Sequence, residues 1–525
     1  MDNVHKPTSS EIRDLHSFVH NFQVSVVLPF YKKFSAFKEA MFINAPYFNR
    51  NGIEVIISMD ENSEENEVVE FIKSYPFINW KVIVNDALHS WRNPVKSINV
   101  GIRNASKKYI LVCSPESLFY TDAIYLMRKY LEFYPGHFAV GTVAFATCND
   151  IKNNNLNFCM PYGSIFAEKQ AFERVNGYDE SLVMWGGDDD NIRARLEMCG
   201  VKKLFLPEVK LIHKEKSNSD IQSRYAKKIS RLESKHIFYP GNPIANFFEQ
   251  WGQDYKRIAY DWRHNEYSIQ LLKKYLNDFI QYDLNEDASR VKKNIILLVQ
   301  VYNGAKLLKK FIRNVEQYVD GIIFLDDGSD DDTYDFIVSS KLLLKVKKIR
   351  KCFNDLENRN IMLRLASFFD SEWFCIMDVD ELFDERFVDF KNVVSDPSID
   401  TVIFRHTHLW NSEITYNAEY PNSQNGILER YRMFRNIGSC QILTDKLKLH
   451  FSPVPYYGKT LKSGIMYHHL GNISKQKRIA RYLMYKHEDI YNDQEGYEHL
   501  LNHFPKLLLV KDIVYNDNIF TNIDN

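Results

Sequence analysis

Two stretches of this chain begin in the same way, and that repetition limits the folds open to it. Val24-Ser25-Val26-Val27-Leu28-Pro29-Phe30-Tyr31 is apolar and rich in β-branched residues, and so is Asn294-Ile295-Ile296-Leu297-Leu298-Val299-Gln300-Val301-Tyr302-Asn303. Short continuous apolar runs of this kind read as strands buried on both faces. Each is followed by a polar turn, by helical spacing (Phe34 to Phe48, Ala305 to Tyr318) and by a second strand (Glu54 to Met59, Gly321 to Leu325). Both second strands run into acid, Asp60-Glu61-Asn62-Ser63 and Asp326-Asp327-Gly328-Ser329-Asp330-Asp331-Asp332. Strand–helix–strand order builds a parallel α/β sheet, and ligands of such sheets sit beyond the carboxyl ends of the strands.

A chain of 525 residues exceeds one ordinary core. The expected division is a first domain over 1–240, a helical connector over 241–293, and a second domain over 294–525 that ends in a helical tail. Tyr239-Pro240-Gly241-Asn242-Pro243 marks the first break. Phe247, Trp251, Tyr255 and Ile258, then Ile269, Leu272, Tyr275 and Leu276, have helical spacing, which predicts a connector packed between the domains. The net charge of -1 creates no field that would recruit nucleic acid. Seven cysteines without a Cys-x-x-Cys pair give no disulfide framework or zinc knuckle. The polar start from Met1 to Glu11 and the absence of a run of ~20 apolar residues predict a cytoplasmic protein.

Between the repeats lies Met184-Trp185-Gly186-Gly187-Asp188-Asp189-Asp190-Asn191. Carboxylates suit the positive end of a helix, and two glycines permit a sharp turn. Helix capping alone asks for fewer than three acids in a row. The segment resembles the Trp-Gly-Gly-Glu-Asp acceptor motif of the β-1,4-galactosyltransferase type, with Asp188 in place of glutamate. The resemblance implies a GT-A fold in which Trp185, Gly187, Asp188 and Asp190 bind the acceptor. Asp188 and Asp189 would be catalytic, Asp189 as general base. Gly163-Ser164-Ile165-Phe166 and Gly177-Tyr178-Asp179-Glu180 resemble the segment that introduces this loop.

The opening strand–helix–strand resembles the nucleotide-binding half of family-2 glycosyltransferases. That implies donor contacts from Pro29, Tyr31, Asp60 and Asn99. The family's next strand ends in Asp-x-Asp, which holds a divalent cation; here Tyr109-Ile110-Leu111-Val112 leads to Cys113-Ser114-Pro115-Glu116. Only Glu116 is a hard oxygen donor there. His213, 24 residues after Asp189, occupies a place similar to the galactosyltransferase metal histidine. It is either a satisfied polar residue or, with Glu116 and the donor diphosphate, part of a weak Mn²⁺ site. Lys214 and Lys216 offer an alternative, metal-free neutralisation of the diphosphate.

In the second half, Asp326-Asp327-Gly328-Ser329 resembles the family-2 nucleotide motif; it lacks the spacing and closing glutamate of a calcium-binding EF-hand loop. Trp373-Phe374-Cys375-Ile376-Met377 then ends in Asp378-Val379-Asp380-Glu381, and Glu357 and Arg359 precede it. This form resembles the lipopolysaccharide and capsule branch of the family. It implies donor contacts from Asp326, Asp327, Arg359 and Asp378, and Mn²⁺ or Mg²⁺ on Asp378 and Asp380, with His468 as a later metal contact. The arginines of Glu429-Arg430-Tyr431-Arg432-Met433-Phe434-Arg435 are either phosphate contacts or solvated surface, and Glu429 and Asp445 are candidates for a base.

Together the resemblances imply two tandem α/β GT-A domains. They would form a bifunctional inverting transferase that moves sugars from nucleotide-sugar donors, of the UDP class, to a growing bacterial surface glycan or lipid-linked glycan. That role adds peripheral association with the inner face of the cell membrane to the expected location. The alternative is one active second domain, with the first as a non-catalytic acceptor-binding module.

Overall fold

The computed structural model describes residues 21–158, 160–183, 186–215, 239–247, 250–255, 257–263, 266–442, 451–488, 497–502, 504–513 and 521–523. The chain divides into two compact units, Met1–Asn265 and Glu266–Asn525.

The strands of the first unit are β1 (Val24–Phe30), β2 (Ile53–Met59), β3 (Asn79–Val84), β4 (Tyr109–Val112), β5 (Ser117–Phe119), β6 (His137–Ala146), β7 (Met160–Glu168), β8 (Lys202–Lys214) and β9 (Arg257–Asp261). They form one sheet in the order β5-β8-β6-β7-β4-β1-β2-β3-β9. β3, β2, β1 and β4 are parallel neighbours, so their carboxyl ends share one edge. β7 joins β4 antiparallel and β9 joins β3 antiparallel. Helices α1 (Phe34–Phe48), α2 (Val95–Asn104) and α3 (Asp188–Met198) supply the other parts used below. Val27, Ile56, Ile83, Ile98, Ile110 and Ile165 pack into one apolar core. The central strands have apolar cores on both faces, which is why they read as unbroken apolar runs rather than alternating ones.

The second unit repeats this plan. Its strands are β10 (Gln281–Leu284), β11 (Lys293–Val301), β12 (Gly321–Asp326), β13 (Leu342–Lys347), β14 (Ser371–Asp378), β15 (Glu381–Phe383), β16 (Thr401–His408), β17 (Thr415–Asn417), β18 (Ile427–Arg435), β19 (Thr460–His469), β20 (Leu507–Leu509) and β21 (Thr521–Ile523). The main sheet runs β10-β13-β12-β11-β14-β18-β16-β19-β15, which matches the first sheet position for position. Helices α4 (Glu266–Leu276), α5 (Ala305–Val315), α6 (Asp355–Ala366) and α7 (Lys475–Glu488) accompany it. Leu297, Val299, Phe311, Phe324, Trp373 and Met377 centre its core. The expected α/β class in two tandem domains is what the structure shows. No helix among the described residues is long and apolar enough to cross a membrane.

The helical connector does not form as expected. Gly252 stands at φ +68° between Trp251 and Tyr255, and a Cβ there would lie 2.5 Å from the Asn99 carbonyl oxygen. The left-handed turn ends any helix at that point, and Trp251 and Tyr255 are buried in the first unit's core instead. The segment continues as β9 on the first sheet. Among the described residues of this stretch only Glu266–Leu276 realises the helical spacing, and β10 then joins the second sheet.

Candidate active sites

In the first unit the sheet edge gathers Tyr31 and Lys33 after β1, Asp60 after β2, and Glu116 beyond β4. Asp60 is buried, and Arg92 grips it with two hydrogen bonds, Nε to Oδ2 at 3.1 Å and Nη2 to Oδ1 at 2.7 Å. The paired carboxylate raises the Arg92 pKa. Nη2 also donates to the Tyr255 hydroxyl at 3.0 Å. His89 Nε2 lies 2.7 Å from the Asp60 carbonyl oxygen, and the Tyr31 ring stacks on His89 at 5.8 Å. Pro29 is partly exposed near the end of β1, opposite Ser58.

The second unit builds the same device from other residues. Asp326 Oδ1 accepts from the Ser329 amide at 2.8 Å and closes the acidic turn, while burial raises its pKa. Asp327 takes a hydrogen bond from Arg350 and an ion pair from Lys348 at 3.1 Å. The Arg350 guanidinium lies 3.6 Å from the centre of the Tyr302 ring. An aspartate clamped by arginine beside a tyrosine face thus stands at the same edge of both sheets. Planar rings and fixed polar groups in that combination can hold a nucleobase and its ribose. Arg92 and Arg350 do not stand out in the sequence, because each reaches its aspartate only through the packing of the sheet.

Asn99 is not at this edge. Its amide donates to the Tyr178 carbonyl and to Glu180 Oε1, both at 2.8 Å, and its oxygen accepts from the Tyr178 amide at 2.7 Å. These bonds pin the Gly177–Glu180 turn, so the expected donor contact is a structural latch. Arg195 extends it: Nη1 and Nη2 donate to the carbonyls of Val175 and Gly177 at 2.9 and 2.7 Å, and Nε to Asn191 at 2.7 Å. The latch fixes α3, whose first turn carries Asp188, Asp189 and Asp190.

Gly186 and Gly187 have φ of 89° and 83°, a left-handed pair that only glycine adopts without strain. Gly187 therefore turns the chain into α3. Burial and then Asp188 push Asp189 up to about 7, against the pull of Arg193. Burial also raises Asp188. Desolvation outweighs the helix dipole here, since the dipole contributes at most ~2 kcal/mol. Asp190 pairs with Arg193 at 3.6 Å. A carboxylate that titrates near neutrality at a helix start is suited to accept a proton from a hydroxyl. Trp185, Lys216 and Asp445 lie outside the described residues.

Glu116 and His213 come together as expected, with His213 Nε2 3.2 Å from Glu116 Oε1. The pairing arises because β5 and β8 place Ser117 opposite His213. His213 Nδ1 lies 3.0 Å from Glu215. The Lys33 ammonium, which the sequence did not single out, donates to the same Glu116 oxygen at 2.7 Å. Burial opposes ionisation of Glu116, but His213 and Lys33 hold its pKa well below the usual carboxylate range. Lys214 pairs with Glu39 instead. Glu116, the carboxylate at the strand end, already bears a cation, and Glu215 stands on the far side of His213; with no metal-holding group of three among the described residues, this donor set does not fit a divalent metal.

The second unit has two carboxylates at the matching strand end. Asp378 closes β14 and accepts from Arg359 Nη2 at 2.7 Å; Arg359 Nε lies 3.3 Å from Asp355. Asp380 Oδ2 lies 3.3 Å from Arg481 and 3.5 Å from His469 Nε2. Burial and Arg481 hold His469 neutral, the form in which imidazole binds metal. His468, the expected ligand, has both nitrogens engaged, Nδ1 with Thr407 at 2.7 Å and Nε2 with Asp384 at 3.0 Å. Adjacent strand residues face opposite ways, so it is His469 and not His468 that stands beside Asp380, with its Nδ1 accepting from the Gly471 amide at 3.2 Å. Among the described residues no three His, Cys, Asp or Glu side chains are grouped so that they could hold a metal ion by themselves. Asp378 and Asp380 put two carboxylates at this edge with the His469 imidazole beside Asp380, and each aspartate here bears an arginine. Glu429 is tied to Lys462 at 2.7 Å. Arg432 is buried against Tyr467 and Glu381, and Arg435 binds the carbonyls of Ile399 and Asp396, so neither is a free phosphate contact.

Comparison with known proteins gives each unit its own relation. A Caenorhabditis elegans protein, probable N-acetylgalactosaminyltransferase 9, is 30% identical over 101 residues, covering 19% of this chain and 16% of that protein. Beta-1,4-galactosyltransferase 5 of Danio rerio is 26% identical over 120 residues, covering 21% of this chain and 28% of that protein. The chain thus spans less than a third of either relative. Among solved structures, the mannosyltransferase PcManGT from Pyrobaculum calidifontis, in complex with GDP-Man and Mn²⁺, aligns with a TM-score of 0.28 at 15% identity, covering 37% of this chain and 59% of that one. GalNAc-T7 with UDP, GalNAc and Mn²⁺ aligns with a TM-score of 0.30 at 14% identity, covering 43% and 45%. Likenesses at this level carry no argument about mechanism. Residues 151–232, which include α3, match the family model of the N-terminal domain of galactosyltransferase, and residues 297–440, which include the Asp327 and Asp378 edge, match glycosyl transferase family 2, so the chain carries two glycosyltransferase-family segments in tandem.

Proposed function

We propose that the chain is an inverting glycosyltransferase with two donor sites, one at the edge of each sheet. The carrying observation is the duplicated aspartate–arginine–tyrosine device at equivalent strand ends, joined in the first unit to a carboxylate that titrates near neutrality. In the first unit, Asp189 takes the proton of an acceptor hydroxyl as that oxygen attacks the anomeric carbon. The bond to the nucleoside diphosphate breaks with inversion, and Asp189 leaves the step protonated. In the second unit, Asp378, Asp380 and His469 would hold Mn²⁺ or Mg²⁺, and the bound cation would neutralise charge on the leaving diphosphate. Arg359 and Arg481 keep the two aspartates aimed at the edge.

Two sites on one chain suit alternating or successive addition of sugars to a growing surface glycan of the capsule or lipopolysaccharide type. The lone Glu116 in place of two strand-end acids favours a second reading, in which the first unit binds acceptor only. Incubation with a panel of nucleotide sugars, with release of nucleotide as the readout, separates the two. Asp189→Asn and Asp378→Asn should each stop consumption of a different donor. One donor, consumed by the second unit alone, would establish the acceptor-module reading.

A further inference from the structure

The disagreement between the first unit's strand end and a metal site has a positive side. We propose that the first unit neutralises the donor diphosphate with the ammonium of Lys33 in place of a divalent cation. This rests on the first unit's being a donor site.

Three observations carry it. The strand end provides Cys113, Ser114, Pro115 and Glu116, and burial pushes the Cys113 thiol up to about 12, so no thiolate ligand forms near neutrality. Glu116 Oε1 already receives both Lys33 Nζ at 2.7 Å and His213 Nε2 at 3.2 Å. A divalent ion would have to displace the ammonium and find several further oxygen ligands. Glu116 Oε2 is buried without a hydrogen-bond partner among the described residues, an acceptor left for a hydroxyl of the bound sugar. A buried acceptor without a partner carries a desolvation cost until a donor reaches it.

Lys33 is placed to act on a ligand. It follows β1 at the shared carboxyl edge, and its side chain is 41% exposed, while that of Glu116 is 7% exposed. The ammonium can swing from Glu116 to a phosphate oxygen on its flexible stem. His213, between Glu116 and Glu215 at 3.2 and 3.0 Å, then remains as the hydrogen-bonding partner of Glu116. Lys32 adds a second ammonium at the same turn, 5.3 Å from the centre of the Tyr31 ring.

The test is equilibrium binding of UDP and GDP to the full chain carrying Asp327→Ala, which weakens the second site, in excess EDTA and in Mn²⁺. A nucleotide should bind in EDTA. Lys33→Ala should weaken it by about tenfold or more, the range of a charged hydrogen bond, and Lys33→Arg should restore most of it. Thermal melting checks that each variant folds, and the arginine variant keeps the comparison open if the alanine variant does not. Binding that depends on Asp60 but requires Mn²⁺, or that ignores Lys33→Ala in EDTA, overturns the proposal while leaving the first unit a donor site. Binding that is absent in both conditions, or indifferent to Asp60→Ala, overturns the donor reading and the proposal with it.

Discussion

Replacing Asp189 with asparagine should abolish first-unit transfer and, at the same time, stabilise the fold above neutral pH. The carboxyl is raised from its ordinary 3.8 to about 7, first by burial and then by Asp188. The folded state therefore holds a proton that the unfolded chain has already lost. Below about pH 4 both states are protonated, and the aspartate costs nothing. As pH rises through the interval from 3.8 to about 7 the penalty grows, and above it the whole penalty applies. A rise of that size corresponds to roughly 4 kcal/mol at full burial. Asp189 is partly exposed, so about 1–3 kcal/mol is the working figure after solvent screening. Asparagine keeps the shape and removes the charge. The variant's advantage in melting temperature should be small at pH 4.5 and clear at pH 8, measured on the transition that responds to α3. An advantage that is equal at both pH values would show that Asp189 ionises as an ordinary surface acid. The case for it as a base poised near neutrality would then collapse.

Other outcomes follow from the same geometry. First-unit transfer should fall as pH drops below about 7, and Asp188→Asn should move that acid limb to lower pH, because it removes the second cause of the shift; a limb that stays in place refutes the coupling. His469→Ala should raise the Mn²⁺ concentration needed by the second unit severalfold, while His468→Ala should lower thermal stability and leave that concentration unchanged; titration of activity with Mn²⁺ reads both. Asn99→Ala should cost about 2–4 kcal/mol by leaving buried partners of the latch unpaired, seen in denaturant unfolding, and should reduce kcat through α3 without changing nucleotide affinity. Arg350→Ala should weaken nucleotide binding to the second unit about tenfold, as read by calorimetry, since it leaves Lys348 as the remaining cation on Asp327 and strips the Tyr302 face.

The parts of this molecule that sequence made legible are those set by neighbours along the chain. β1, β2, β4, β11, β12 and β14 announce themselves as apolar runs, and the acids after β2, β12 and β14 fall where parallel strands must place them. Asp60, Asp327 and Asp378 could be chosen on that ground alone. What could not be read depends on chain returning from elsewhere. Arg92, Arg350 and Lys33 are ordinary charged residues until the sheet brings them to an aspartate or glutamate. The choice between His468 and His469 turns on strand register, where one residue reverses the face. Asn99 has the composition of a ligand contact, but its bonds close on a turn nearly 80 residues away. The Trp251 and Tyr255 spacing suited a helix as well as it suited two anchors in a core, and Gly252 decided the matter.

The strands contributed by the former connector bear on how the chain can be divided. β9 covers the outer side of β3, and β10 that of β13, so the stretch between the catalytic cores hems one border of each sheet. Severing the chain near 240, or starting it near 293, would strip that hem and leave a row of unpaired amide and carbonyl groups along a hydrophobic strand. Bare borders of that kind recruit strands from other molecules. Fragments cut between Trp262 and Glu266 keep both hems and should remain monomeric, whereas fragments cut at the more obvious proline-rich break should aggregate.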